Sequence, residues 1–342
     1  MEITTGLWLA TFLAILLLVG LDFVTVSKKP HEVGFREALL WSVFYIGLAV
    51  VFGVWVWASF GSDFGTQYFA AYLVEKSLSV DNLFVFVIIL TQFAVPSIYH
   101  QRVLLVGVVL ALVFRGIFIY IGAAALAAFA FTFVIFGAIL IWTGIGLLRH
   151  KDADPNPQDN LVVRNVRRFI PVTDEYDGTK LFTRIDGKRL ATPLFLVMIA
   201  IASTDLLFAL DSIPATFGVT QEPYLVFTAN AFALLGLRAL YFLLKGLLDK
   251  LVYLSTGLAI ILIFIGVKLV LLWAHETWPQ VPKIETSTSL IVIGVVLLVT
   301  ALASWWAVRK DPTRTAHAGT VTEPRPRHDA ADPPRPEAGP PA

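Results

Sequence analysis

Nine apolar runs, each long enough to cross a bilayer, constrain this chain more than any other feature. They fall near residues 6–26, 38–60, 67–94, 102–122, 124–148, 193–217, 223–245, 248–273 and 288–308. A helix needs about 20 apolar residues to span about 30 Å of hydrocarbon. Inside lipid every backbone N–H and C=O must be satisfied within the segment, and a run of this kind does so only as a helix. The expectation is therefore an all-α polytopic membrane protein of about nine transmembrane helices, occupying residues 1–310. The first run has no basic segment before it and no small-residue cleavage site after it, so it reads as a retained helix and not a signal peptide.

Composition agrees. The 342 residues are 57% hydrophobic and only 15% charged, and the charges cluster in a few loops and the tail. Cysteine is absent, which excludes disulfides, thiolate metal sites and cysteine nucleophiles. Lys28, Lys29, Arg36, Arg102, the basic residues from Arg149 to Arg189, Lys245, Lys250 and everything from Arg309 onward fall on one side if nine spans are correct. The opposite side carries only Lys283. Positive residues favour the cytoplasmic face, which places the N-terminus outside and the C-terminus in the cytoplasm of a cell membrane.

Two soluble pieces remain. The 149–192 loop carries two strand-like runs around Asp186-Gly187, a plausible hairpin. Residues 311–342 are rich in Pro, Arg and Ala without apolar periodicity, and are expected to be a disordered cytoplasmic tail.

Two stretches resemble each other: VEKSLSVDNLFVF, with Glu75, Lys76, Asp81 and Asn82, and ASTDLLFALDSIPA, with Asp205, Asp211, Ser212 and Pro214. Arg115 and Arg238 close similar runs, ALVFR and ALLGLR. Gly137 and Gly146 bracket eight apolar-rich residues, and Gly257 and Gly266 do the same. Residues 67–148 and 193–273 thus read as two copies of a three-helix unit. An odd number of helices per unit sends the second copy through the membrane in the opposite direction. This is an inverted three-plus-three repeat, which in secondary transporters places the substrate site near mid-membrane at the repeat interface.

The charges within the spans point the same way. Glu75, Asp81, Asp205 and Asp211 stand against Lys76, Arg115, Arg238 and Lys268. Each would cost about 2.5–3.5 kcal/mol at a lipid-facing helix centre, so they must turn inward and find partners. One explanation is that four acids and four bases neutralise one another as structural ion pairs. Buried ion pairs, however, hold a bundle together less well than apolar packing. The acids are also concentrated in two repeat-related helices. Converging carboxylates with Asn82 and Ser212 oxygens nearby suit a hard divalent cation, Ca2+ and Mg2+ included.

Helix geometry refines the set. Residues seven apart lie about 20° apart around a helix, so Glu75 shares a face with Asn82, and Asp205 with Ser212. Residues six apart lie about 120° apart, so Asp81 and Asp211 leave that face. A break near Leu210–Pro214 would swing Asp211 back toward the site. Asp81 has no such proline and is a candidate partner for a base. Asn230 could add an amide oxygen, or an interhelical hydrogen bond. Lys268 and the two arginines could balance the carboxylates when no cation is bound. Asp22 and the His31-Glu32 pair could form an entry vestibule. No phosphate loop, dinucleotide fingerprint, G-x-S-x-G or H-E-x-x-H is present, so an enzyme and a resident cofactor are not expected.

Six segments in order, HEVGFREALLWS, VEKSLSVDNLFVF, RRFIPVTDEYDG, ATPLFLV, STDLLFALDSIPA and TANAFALLGLRALYF, give the sequence a close resemblance to the TerC family, within the broader lysine-exporter group. The family was named for tellurium resistance and is linked mainly to manganese export. The resemblance implies Mn2+ as the substrate and the acidic membrane residues as its ligands: Glu75, Asp81, Asn82, Asp205 and Asp211. It also leaves a second possibility, a membrane scaffold that aids protein insertion or a stress-response complex, working as a homo-oligomer or with membrane-protein partners. Handling of tellurium oxyanions fits less well with an acid-lined site.

Overall fold

A computed structural model describes residues 3–27, 33–150, 161–173, 175–185, 188–244, 251–278 and 280–311. The Asp81 side chain, His31 and Glu32, the Asp186-Gly187 turn, Lys245 and Lys250, and the tail from Pro312 onward lie outside the described residues. The chain is an all-α bundle with one small hairpin. Its helices are α1 (Thr5–Ser27), α2 (Phe35–Phe60), α3 (Ser62–Gln92), α4 (Ser97–Ala128), α5 (Thr132–Arg149), α6 (Leu161–Phe169), α7 (Pro193–Phe217), α8 (Pro223–Leu235), α9 (Leu237–Leu244), α10 (Leu254–Thr277) and α11 (Thr286–Lys310). Strands β1 (Phe182–Ile185) and β2 (Lys188–Ala191) pair antiparallel, with Phe182 opposite Ala191, so the described strands flank the expected turn.

Among the described residues, seven helices are long and apolar enough to cross a bilayer, or eight if the bent pair α8–α9 counts as one span. Helix α3 coincides with the remaining expected run. It has ample length, but Asp63, Glu75, Lys76 and Asp81 lower its hydropathy. Its position explains how Glu75 and Lys76 are tolerated: α3 packs against α2, α7, α8 and α11, at the centre of the bundle. Lipid-facing surface falls instead to outer helices such as α1, α2 and α11, which expose Leu13, Leu17, Leu40, Val51, Ile291 and Leu298. At the end of α11, Arg309 lies over the Trp305 ring and Lys310 over Trp306, the aromatic and basic anchoring expected where a helix leaves the hydrocarbon.

Several boundaries differ from expectation. The turn between the fourth and fifth spans falls at residues 129–131, not near residue 123, because the small residues of GAAALAA are good helix formers and carry α4 through to Ala128. The 223–245 run bends by 40° between α8 and α9, at Gly236. A Cβ at Gly236 would lie 3.1 Å from the Tyr45 Cβ and 3.4 Å from the Lys76 ammonium, so the break is also a point of close approach. Helix α7 does not break at Pro214. It runs without interruption to Phe217, because the proline costs only its own N–H bond.

Helix directions follow from the contacts. Gly107 meets Ile201 and Gly122 meets Phe217, so α4 and α7 run parallel. Gln67 bonds Thr220 and Lys76 bonds Ala233, so α3 and α8 also run parallel. Helices α5 and α10 run antiparallel and very close: a Cβ on Gly137 would lie 2.7 Å from the Gly266 carbonyl oxygen, and a Cβ on Gly266 would lie 2.8 Å from that of Gly137.

The soluble elements gather at one end. Tyr176 donates to the Phe93 carbonyl at 2.6 Å, and Arg102 donates to the Thr179 hydroxyl. Arg149 closes α5 at this end, and Tyr253 N–H donates to Ser304, bringing in the end of α11.

Candidate functional site

Near the midpoints of α3, α4 and α7, three ionisable side chains are brought together out of reach of solvent. Glu75 and Arg115 are fully buried and Asp205 is 2% exposed. Arg115 donates through Nη1 to Glu75 Oε2 at 2.5 Å, and its Nη2 lies 3.9 Å from Asp205 Oδ1. Asn82 completes the fork. With its amide oriented to satisfy its neighbours, the nitrogen donates to the Leu78 carbonyl at 3.1 Å and the oxygen accepts from Arg115 Nη2 at 3.0 Å. Glu75 and Asn82 thus share a face of α3 and use it on the same guanidinium. The other carboxylate oxygen of Glu75 accepts from the Thr216 hydroxyl at 2.6 Å.

Among the described residues this cluster contains two carboxylates and one guanidinium, and its hydrogen bonding is incomplete. Among the described residues, Asp205 Oδ2, Arg115 Nε, the Ser212 hydroxyl and both polar atoms of the Asn230 amide are buried without a partner. A buried polar atom with no partner costs about 1–3 kcal/mol, more if charged, so such a concentration in one bundle needs a reason.

Of the remaining expected residues, Asp211, Lys76 and Arg238 bond other partners. Asp211 turns toward α5 and accepts from the Thr143 hydroxyl at 2.8 Å, as expected of a residue about 120° around an unbroken helix from Asp205. Lys76 points the other way and donates to the Ala233 carbonyl at 3.3 Å, one turn before the α8–α9 break. Lys268 is buried on α10 and forms no ion pair with any described residue. Arg238 does not balance the central carboxylates. It grips Asp22 of α1 through Nη2 at 2.6 Å and Nε at 3.2 Å, a bidentate pairing. Tyr45 donates to the same carboxylate at 3.1 Å, and Arg238 Nη1 reaches Gln101 at 3.4 Å. His100 sits alongside, between the Val95 carbonyl and the Tyr241 hydroxyl. Asp22 is therefore a buried member of a second polar cluster at the loop-bearing end, not an exposed vestibule residue.

Among the described residues, no group of three or more His, Asp or Glu side chains is held close enough to grip a metal ion in this conformation. Thr216, Thr143, Gln101 and Tyr45 are the polar partners that sequence reasoning passed over. For Thr216 a signal existed, since it lies one turn beyond Ser212 on the same face; for the others only the packing of distant helices reveals the role.

Outside the spans, Asp177 accepts from Thr183 at 2.7 Å and from Lys180. The Thr183 hydroxyl first, and then Lys180, hold its carboxyl below the usual carboxylate range.

Comparison with known proteins agrees with this architecture. The family model described as "Integral membrane protein TerC family" matches residues 60–312. An uncharacterized membrane protein of Myxococcus xanthus is 42% identical over 92% of this chain and 97% of its own length. One from Mycobacterium tuberculosis is 46% identical over 88% of this chain and 79% of its own. The thylakoid membrane protein TERC of Arabidopsis thaliana is 44% identical over 72% of this chain and 63% of its own. No solved structure matches. The chain is a multi-pass integral membrane protein, and with three quarters of its length matched it belongs to the TerC family.

Proposed function

We propose that this protein is a secondary-active exporter of divalent cations, with Mn2+ the foremost substrate, and that the cation passes through the Glu75–Asp205 centre. One observation carries the proposal. Carboxylates from corresponding positions of two similar stretches meet near mid-helix, fully desolvated, with one guanidinium between them and with Asp205 Oδ2 and Ser212 Oγ lacking a partner among the described residues. Oxygen donors in this arrangement suit a hard cation. Asn82 supplies a further oxygen. The choice of Mn2+ over Ca2+ or Mg2+ rests on the family. The sequence carries no phosphate-loop motif, and a gradient is the driving force we assign to the transport.

The helix directions support an inverted repeat of α3–α5 with α7–α10, in which α3 is a ninth span. Exchanging the two units turns the parallel pair α3/α8 into the parallel pair α7/α4, and returns the antiparallel pair α5/α10 to itself. These are the relations required by a two-fold axis in the membrane plane. Arg102, Arg149, Arg309 and Lys310 gather at the loop-bearing end, which supports a cytoplasmic position for that end and for the C-terminus.

The test is cellular manganese tolerance and metal content. Glu75→Gln, Asp211→Asn and Asp81→Asn each abolish manganese tolerance at unchanged protein level. If all three still lower cellular manganese, the assignment of these ligands is wrong. Loss of function on deleting the 149–192 loop, with those variants still active, would favour the scaffold reading instead.

A further inference from the structure

Arg115 does more in this geometry than stabilise the bundle. Its guanidinium lies between the two carboxylates proposed to hold the metal, bonding one and facing the other. A cation delivered to Glu75 and Asp205 competes with it for the same oxygens. The fork also has an alternative acceptor in Asn82, which can keep one N–H satisfied while the carboxylates turn to a metal. Arg238, which closes a similar run of sequence, is bound to Asp22. Of the two arginines, only Arg115 serves the centre.

We infer that Arg115 is a tethered counter-cation: it takes the place of the divalent ion between Glu75 and Asp205, and so lets the unloaded carrier return across the membrane without a counter-transported metal. The inference rests on the proposed transport function and specifies its coupling. A carrier whose unloaded centre held two bare carboxylates at mid-membrane would be trapped until another cation bound, and would perform exchange only. With the guanidinium in place, one of the two negative charges is neutralised during the return. The protein then exports metal down to an external solution that contains none.

The experiment uses the full chain, purified and reconstituted into vesicles, with Mn2+ as the probe and a radioactive manganese tracer. Two modes are measured: net efflux into manganese-free medium, and tracer exchange against equal manganese on both sides. Arg115→Gln keeps a hydrogen-bonding side chain and removes the charge. It is expected to retain exchange within a few-fold while net efflux falls on the order of a hundredfold, the factor one additional uncompensated charge imposes on the return step. It should also bind Mn2+ more tightly than wild type, since the internal competitor is gone. Net efflux that remains in step with exchange overturns the inference. So does loss of both exchange and Mn2+ binding in a folded protein, because the guanidinium would then be helping to build the site. If the neutral variant does not fold, Arg115→Lys serves the same purpose. Its single ammonium cannot reach both carboxylates as the fork does, so Mn2+ binding should tighten, and equal or weaker binding overturns the inference. Failure of wild type to move or bind Mn2+ in either mode would instead count against the transport function.

Discussion

The contact between α5 and α10 offers a sharp test of the architecture. Gly137 and Gly266 face each other so closely that a methyl group on either has nowhere to go. On Gly266 the new Cβ would lie 2.8 Å from the Gly137 carbonyl oxygen, 2.8 Å from Ile141 Cγ1 and 3.1 Å from the Ile141 backbone nitrogen. Two of these three obstacles are backbone, so no side-chain rotation relieves them. Restoring an ordinary 3.4 Å contact from 2.8 Å requires the helices to part by about 0.6 Å, the difference between the two. Overpacking of this kind costs about 1–3 kcal/mol. Opening a packed seam by 0.5–1 Å also forfeits roughly a quarter or more of each contact across it, which for some tens of atom pairs adds about 1–2 kcal/mol. Against this, Gly→Ala improves helix propensity by about 1 kcal/mol. The net expectation for Gly266→Ala, and equally for Gly137→Ala, is a loss of about 1–4 kcal/mol. Gly20→Ala and Gly294→Ala serve as controls, because a Cβ at either position meets nothing within 4 Å; they should be neutral or mildly stabilising. The assay is thermal unfolding in detergent, followed by tryptophan fluorescence and by retention of a monodisperse peak. Since a single widening of the seam relieves both sites, the Gly137→Ala, Gly266→Ala double variant should lose less than the sum of its parts. A melting temperature for Gly266→Ala equal to or above that of Gly294→Ala would refute the close packing of α5 on α10. It would also remove one of the relations that support the repeat.

The other expectations concern polar contacts. Asp22→Asn leaves the Arg238 charge buried and is expected to cost about 3–5 kcal/mol; adding Arg238→Met should recover much of this in the same thermal assay, and no recovery would mean that the pair is not the source of the loss. Thr216→Val removes the hydroxyl that bonds Glu75 and should cost about 1.5–3 kcal/mol, the range for a hydrogen bond to a charged group; an unchanged melt would show that Glu75 does not depend on it. Thr143→Val frees Asp211 from α5, so Mn2+ flux in vesicles should change while Gly294→Ala leaves it unaltered. Because the Asp177 carboxyl is held below its ordinary range in the folded loop, its contribution is fully present above the unfolded value of about 4 and is lost as pH falls through the lower folded value. Amide exchange at residues 175–185 should therefore accelerate, relative to intrinsic rates, in strongly acidic solution in wild type but show no such transition in Asp177→Asn.

What the sequence disclosed, and what it withheld, follows from the range of the forces involved. Local rules located the helices. Apolar runs must be helical in lipid, and the charges of α3 did not hide it, because its length and flanking turns remained legible. The seven-residue spacing within each acidic stretch placed Glu75 with Asn82 and Asp205 with Ser212 on single faces. The same geometry put Asp211 on another face, where it meets Thr143. The expected break at Pro214 does not occur, because one missing N–H is a small loss against the remaining hydrogen bonds of α7. Choice of partner was beyond local rules. Arg115 and Arg238 end similar runs, and a symmetrical assignment would have given each central carboxylate its own arginine. Asp22, on α1 and 216 residues from Arg238 in the chain, takes one of them away. That capture is the step at which a balanced set of charges becomes a biased one. Among the described residues two carboxylates are left to one guanidinium, and the proposed cation site rests on that imbalance.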